Sequence, residues 1–167
     1  MKIIITDTNV FIDLIKSGAL DFFFQCPFEV CTTDLVLEEI KPPEQRALID
    51  KHVTTNRLRV LQLSAEDIFA AIQLPTQSNL KRITDKSVLL KAIQMQACLL
   101  SGDGDLHKEG QRAGLEVRGS LWVIREIWLA GLSNVKDLLF MLDELSRNTR
   151  LPVVAIEELR KEILEAG

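Results

Sequence analysis

No stretch of this 167-residue chain approaches the roughly 18 consecutive apolar residues that a membrane-spanning helix needs, although 47% of its residues are hydrophobic. The N-terminus runs straight into a strand pattern, with no basic region and no small-residue cleavage site, so a cytoplasmic protein with no membrane association is expected. Cysteine is scarce. Cys26, Cys31 and Cys98 are an odd set without a C-x-x-C pair, which argues against a zinc site and for buried thiols. An excess of positive charge is also missing: 20 Lys and Arg face 24 Asp and Glu, a net charge of -4. Binding nucleic acid through bulk charge alone is thereby excluded, and such an activity would need a local basic surface or metal ions. No glycine-rich turn follows the first strand, which excludes a dinucleotide site of the G-x-G-x-x-G kind. Internal repeats and low-complexity segments are absent as well.

What is present is an alternation of strand and helix patterns. Residues 2–6 form a short apolar strand, and Val10, Phe11, Ile12, Leu14 and Ile15 fit a helix that Gly18 closes. Leu20 to Phe24 begins a short helix, and Phe28 to Cys31 is the next strand. Thr32, Thr33 or Asp34 caps a helix that turns Leu35, Val36 and Ile40 inward and that Pro42-Pro43 ends. Leu58 to Leu63 reads as a third strand, and Ser64 with Asp67 as a capping box opening a helix through Leu74. After a loop over 75–79, Thr84 caps a helix carrying Val88, Leu89, Ala92 and Ile93. The strand Ala97 to Leu100, the turn 101–104 and a last strand at 115–117 follow. Beyond Gly119 the strands stop. Ser120, Ser133 and Pro152 open three amphipathic helices, the last apolar at Val154, Leu159 and Ile163. The expected architecture is an α/β body over 1–118 and a helical tail over 119–167 that packs on the body, a second copy or a partner.

Charge is uneven. Between Lys51 and Lys91, seven basic residues face three acids, so a phosphate-contacting surface including Lys81, Arg82 and Lys86 is one reading and a solvated face the other. Asp7 follows a buried β-branched run directly, and in an open parallel sheet that position points into the crevice where ligands bind. Glu39, Asp85 and Asp103 fall at intervals that would bring four carboxylates to the same sheet edge.

Three segments carry a resemblance. Residues 4–13 (Ile-Ile-Thr-Asp-Thr-Asn-Val-Phe-Ile-Asp) resemble the first motif of PIN-domain nucleases, and Val36-Leu-Glu-Glu-Ile40 resembles the second acid site. Residues 85–103, an acid, an amphipathic helix, a strand and then Ser101-Gly102-Asp103, resemble the second half of that domain. The likeness runs through about residue 118, and the tail is similar to that of a prokaryotic subgroup with a C-terminal helical extension. It implies a three-layer α/β/α domain with a central parallel sheet and an endoribonuclease using Mg²⁺ or Mn²⁺, with products ending in 5′-phosphate and 3′-hydroxyl. Many prokaryotic members are VapC-like toxins, which would make a cognate antitoxin a partner beside the RNA substrate; a homodimer is the other expected assembly. Carried over by position, Asp7, Glu39, Asp85 and Asp103 are the metal-binding and catalytic set, with Asn9, Ser101 and Asp105 as accessory residues. Glu38 competes with Glu39, which precedes the apolar Ile40 as the family's acid does. The residue types suit the chemistry on their own: phosphodiester hydrolysis needs a nucleophile at neutral pH and charge neutralisation at the phosphoryl group, and hard divalent ions prefer carboxylate oxygens.

Each acid alone also has a plainer explanation, Asp85 as complement to a helix dipole, Asp103 and Asp105 as turn formers, and Glu39 as a solvated helix position. His52 and His107 read as surface residues, and Trp128 joins the helix stripe while Trp122 covers an edge or interface. A haloacid-dehalogenase-type phosphatase fails because Asn9 stands where its second aspartate is needed, and a calcium loop starting at Asp103 fails for want of a closing glutamate. The rival from another class is a PIN-like module that binds RNA or protein without cutting.

Overall fold

Five short strands and ten helices make up the computed structural model, which describes every residue except Thr149. Strand β1 (Lys2–Thr6) is flanked by β2 (Phe28–Thr33) and β4 (Cys98–Leu100), with β3 (Leu58–Leu61) and β5 (Val117–Arg118) at the edges. The order is β3-β2-β1-β4-β5 and all four pairings are parallel. Adjacent residues Ile4 and Ile5 point to opposite faces of β1 and both are fully buried, as are Leu99 and Leu100 of β4. The sheet is therefore covered on both sides, which is the three-layer arrangement and explains why its strands read as unbroken apolar runs.

The connecting helices follow the sequence signals where those are strong. Helix α1 (Thr8–Ser17) ends at Gly18, whose φ of 75° is the left-handed closing conformation. Helix α2 (Leu20–Phe23) follows, then α3 (Asp34–Glu39), capped by Thr33, and α5 (Ala65–Gln73), which has the full Ser64–Asp67 capping box. Helix α6 (Ile83–Met95) lies against β1, β2 and β4. Its N-cap is Arg82, so Thr84 is inside the helix and not its cap.

Two helices appear where the sequence pattern predicts none. Pro42-Pro43 ends α3 but also opens α4 (Pro43–Thr54), with Pro43 in the first turn, where its missing N–H costs nothing. Only Ile49 and His52 of α4 are buried, too few to write a period. Helix α7 (Gly104–Arg112) starts at the end of the expected turn 101–104, fills a stretch to which the sequence pattern assigns no element, and buries only Leu106, Glu109 and Gly110; the strand that follows is 117–118, not 115–117. His52, expected at the surface, is buried. It is 2% exposed, stacked on Phe24 at 4.1 Å between ring centroids and hydrogen-bonded through Nε2 to Asp21 at 2.7 Å.

In the tail, α8 (Ser120–Leu129), α9 (Val135–Ser146) and α10 (Val153–Ala166) pack on one another, and α8 and α9 lie against α1. Gly119 and Asn134 are the caps of α8 and α9, one residue from the expected serines on each side. Val154 is 71% exposed, and Ile156 takes its place on the buried stripe with Leu159 and Ile163. Trp122 stacks on Phe28 at the sheet's N-terminal end, and all three cysteines are buried free thiols. No helix among the described residues is long and apolar enough to cross a membrane.

Candidate active site

Chain connections leave β1 and β4 toward opposite sides of the sheet, and the crevice between their carboxyl ends is where an open parallel sheet binds ligands. Asp7 stands at the end of β1 and caps α1. Its Oδ1 accepts from the Val10 N–H at 2.9 Å, and its Oδ2 accepts from the Ser101 hydroxyl at 2.8 Å and the Gly102 N–H at 3.1 Å. Ser101 Oγ in turn accepts from the Asp103 N–H at 3.0 Å, so the ends of β1 and β4 are laced together. Asp103 caps α7, with Oδ1 accepting from the Asp105 and Leu106 N–H groups at 2.8 and 3.2 Å. Glu39, the last residue of α3, accepts from the Thr8 hydroxyl at 2.7 Å and pairs with Arg82.

Asp85 lies in the first turn of α6 and is 8% exposed. Burial pushes its carboxyl up to about 6, the charges of Asp103, Asp7 and Glu39 add to the rise, and Arg82 opposes it. Asp7 is pushed up to about 6 as well, by burial first and by Asp103 in addition, against the pull of its three hydrogen-bond donors. Burial acts on Glu39 in the same direction, but Thr8, Thr84 and Arg82 together hold it below the ordinary value. The four acids expected from the sequence thus share one electrostatic neighbourhood. Among the described residues, however, no three His, Cys, Asp or Glu side chains stand as a ready-made metal cage. Glu39 is drawn to Arg82 and Asp103 to the amides of α7. The donor set is nonetheless all oxygen, which fits a hard divalent ion.

Of the accessory residues, Ser101 is tied to Asp7, while Asn9 and Asp105 border a cleft of about 790 Å³ running from Asp103 along α7. Four of the seven basic residues between Lys51 and Lys91 are taken up by acids. Lys51, Arg59, Arg82 and Lys91 pair with Asp21, Glu29, Glu39 and Asp67. Lys81 is exposed and Lys86 half-buried beside the acids' α6 flank.

Asp13 and Arg150 were not legible as site residues. Asp13 is 5% exposed and accepts from Ser120 Oγ at 2.7 Å, Asn148 Nδ2 at 2.8 Å and Arg150 Nη2 at 3.3 Å. Arg150 Nη1 also donates to the Gly102 carbonyl at 3.1 Å, joining the tail to the loop that carries Asp103. A signal for Asp13 existed, because an acid between Val10, Leu14 and Ser17 on a buried helix face needs partners; Arg150 is remote in sequence and had none.

A family model described as a PIN domain matches residues 3–165. Among solved structures, the chain is similar to VapBC2 from Rickettsia felis bound to a DNA fragment from its promoter, with 19% identity over 70% of this chain and 98% of that one and a TM-score of 0.50. It is also similar to a PilT N-terminus domain protein from the hyperthermophilic archaeon Sulfolobus solfataricus, with 10% identity over 75% of this chain and 92% of that one and a TM-score of 0.45. No curated protein matches the sequence. With a family model spanning nearly its whole length, this chain belongs to the PIN-domain family.

Proposed function

We propose that the protein is a cytoplasmic endoribonuclease that hydrolyses RNA phosphodiester bonds with Mg²⁺ or Mn²⁺ held by Asp7, Glu39, Asp85 and Asp103. What supports this reading is the electrostatic neighbourhood that the four carboxylates share near the sheet's switch point, where burial first and like charge in addition raise Asp7 and Asp85. A like-charged cluster of that kind is relieved by a cation. Bound divalent ions would supply a nucleophile at neutral pH and neutralise charge on the phosphoryl group.

The chain's own part is orientation. Val10, Ser101 and Gly102 fix the Asp7 carboxylate, and the α7 amides fix one oxygen of Asp103. With an ion bound, Glu39 would hold it in place of Arg82, and the guanidinium would then be free to join Lys81 and Lys86 at the substrate backbone. Asn9 and Asp105 border the crevice and hold substrate or solvent there. Residues 119–167 act as an extension built onto the nuclease body over 1–118. An antitoxin protein is part of this reading, by the resemblance to VapC-like toxins and the likeness to the VapBC2 structure.

The Arg82–Glu39 pair favours the rival, a module that binds without cutting, because it offers Glu39 a counter-ion within the chain. Cleavage of a mixed RNA pool by the purified protein with Mn²⁺, Mg²⁺ or chelator separates the two. Metal-dependent cutting that falls at least about 100-fold in Asp7→Asn and Asp103→Asn is the expected result. Wild type and variants behaving alike would leave partner binding as the function.

A further inference from the structure

The cleft that begins at Asp103 does not stop at Arg150. A second depression, of about 580 Å³, lies on the far side of that side chain, and the two share Asn9 and Arg150 as a common rim. The first is walled by α7, whose Asp105, Lys108 and Gln111 fall on one face, and by the α9–α10 loop with Arg150 and Pro152. The second is walled by α1, with Ile12, Asp13 and Lys16, and by the end of α9, with Glu144, Arg147 and Asn148. We infer that these two depressions form one groove that carries the single-stranded RNA flanking the scissile phosphate on the tail side of the acidic centre. This rests on the nuclease reading above.

Charge supports that occupant. Within the groove Asp13 is neutralised by Arg150 and Glu144 by Arg147, and Asp103 and Asp105 belong to the acidic end. The lining is neutral in sum, four acids against Lys16, Lys108, Arg147 and Arg150, but beyond Asp105 its unpaired charges are positive. Lys16 and Lys108 are both exposed, and neither has an acidic partner among the described residues. Lys108 lies five residues beyond Asp103, about 7 Å along α7, and Lys16 seven residues beyond Asn9, about 10 Å along α1. The groove thus leads away from the carboxylates toward isolated cations, as a phosphate backbone requires. The planar Arg150 guanidinium at the rim offers a stacking surface for a base, a sequence-tolerant contact.

Topology places this groove opposite the other cationic flank. Arg82 is tied to Glu39, which follows β2, whereas the groove starts at Asp103, which follows β4, and β1 with Asp7 lies between them. A strand crossing the acids would leave toward Lys81 and Lys86 on one side and along Arg150 on the other. Arg150 is anchored for this place by Asp13 and by the Gly102 carbonyl, so the tail loop and the Asp103 loop form a continuous wall.

The test uses the full chain and a fluorescently labelled RNA strand of about twelve nucleotides. Binding is measured in Mg²⁺ in an Asp7→Asn background, and KM and kcat are measured in the wild-type background. Lys16→Glu and Lys108→Glu should each weaken binding about tenfold and raise KM with kcat retained, and alanine at either position should lower the salt slope by about 0.7. Lys136→Glu, at the opposite end of α9, should change neither. RNA binding and cutting that ignore both groove substitutions would overturn the groove and leave the nuclease reading standing. A wild-type chain that neither binds nor cuts RNA would overturn both. Thermal melts of the variants, whose altered side chains are solvent-exposed, confirm that the fold is retained.

Discussion

Asp7 carries two conflicting demands, and the conflict is measurable. Its carboxylate caps α1 and accepts three hydrogen bonds, yet burial holds its pKa at about 6 against an ordinary 3.8. The folded chain therefore binds a proton at Asp7 more tightly than the unfolded chain does. The resulting stabilisation is complete below about pH 4 and is lost as the pH rises through about 6. Glu39, Asp21 and Glu109, held below their ordinary values, act in the opposite direction, so the contribution of Asp7 is read as a difference. In chelator, the melting temperature of wild type relative to Asp7→Asn should fall between pH 4 and 7. With saturating Mg²⁺ the order should reverse near neutrality, because an ionised cluster binds the ion and a ligand at 100 times its Kd stabilises by about 2.7 kcal/mol. A difference that stays flat with pH and ignores Mg²⁺ would remove both the titration and the metal from the account of Asp7.

The segment after β4, to which the sequence pattern assigned only a turn, forms a helix because of two residues that write no apolar period. Asp103 caps α7 and Gly110 lets it approach the sheet, where a Cβ on Gly110 would sit 2.7 Å from both Leu99 Cδ2 and Val117 Cγ2. Gly110→Ala should therefore overpack the α7–sheet contact and cost about 1–3 kcal/mol in chemical denaturation. It should also weaken Mn²⁺ binding, since Asp103 moves with the helix. An unchanged midpoint and affinity would show that α7 shifts freely on the sheet. The contrast with other elements shows what a sequence makes legible. The strands β1, β2 and β4, the Ser64 cap and the Gly18 stop were readable because each is set by neighbours in the chain. Of the four acids proposed as the site, Asp7 and Asp103 follow the legible strands β1 and β4, whereas Glu39 ends α3 and Asp85 lies in the first turn of α6. Helices α4 and α7 were not readable, because each buries only two side chains, and a period needs more. In α7 even the buried set includes Glu109, satisfied by the Gln77 and Ser78 N–H groups at 2.9 and 2.7 Å from a loop some thirty residues away.

At the scale of the whole molecule, the helical tail is joined to the body by both of the forces that hold the body together. Val123, Ile124 and Ile127 of α8 and Leu138, Met141, Leu142 and Leu145 of α9 belong to the same continuous core as Phe11 and Leu14 of α1. A polar link lies beside it, where Asp13 on α1 accepts hydrogen bonds from Ser120, Asn148 and Arg150, all three in the tail. A chain ending at residue 118 would expose the apolar face of α1 and α2 to water and leave the Asp13 carboxylate without these donors. It would also lose the Arg150 contact to the Gly102 carbonyl and with it one restraint on the Asp103 loop. Truncation should yield a protein that aggregates or melts without a cooperative transition, whereas Arg150→Gln in the full chain should keep the cooperative melt and lose only part of the Mn²⁺ affinity. Arg150 is itself half-exposed, so its ion pair contributes little to stability on its own and mainly positions the loop. A soluble 1–118 fragment with a sharp melt and undiminished Mn²⁺ binding would mean that the acidic site is complete without the tail, and that the extension serves only to bind partners.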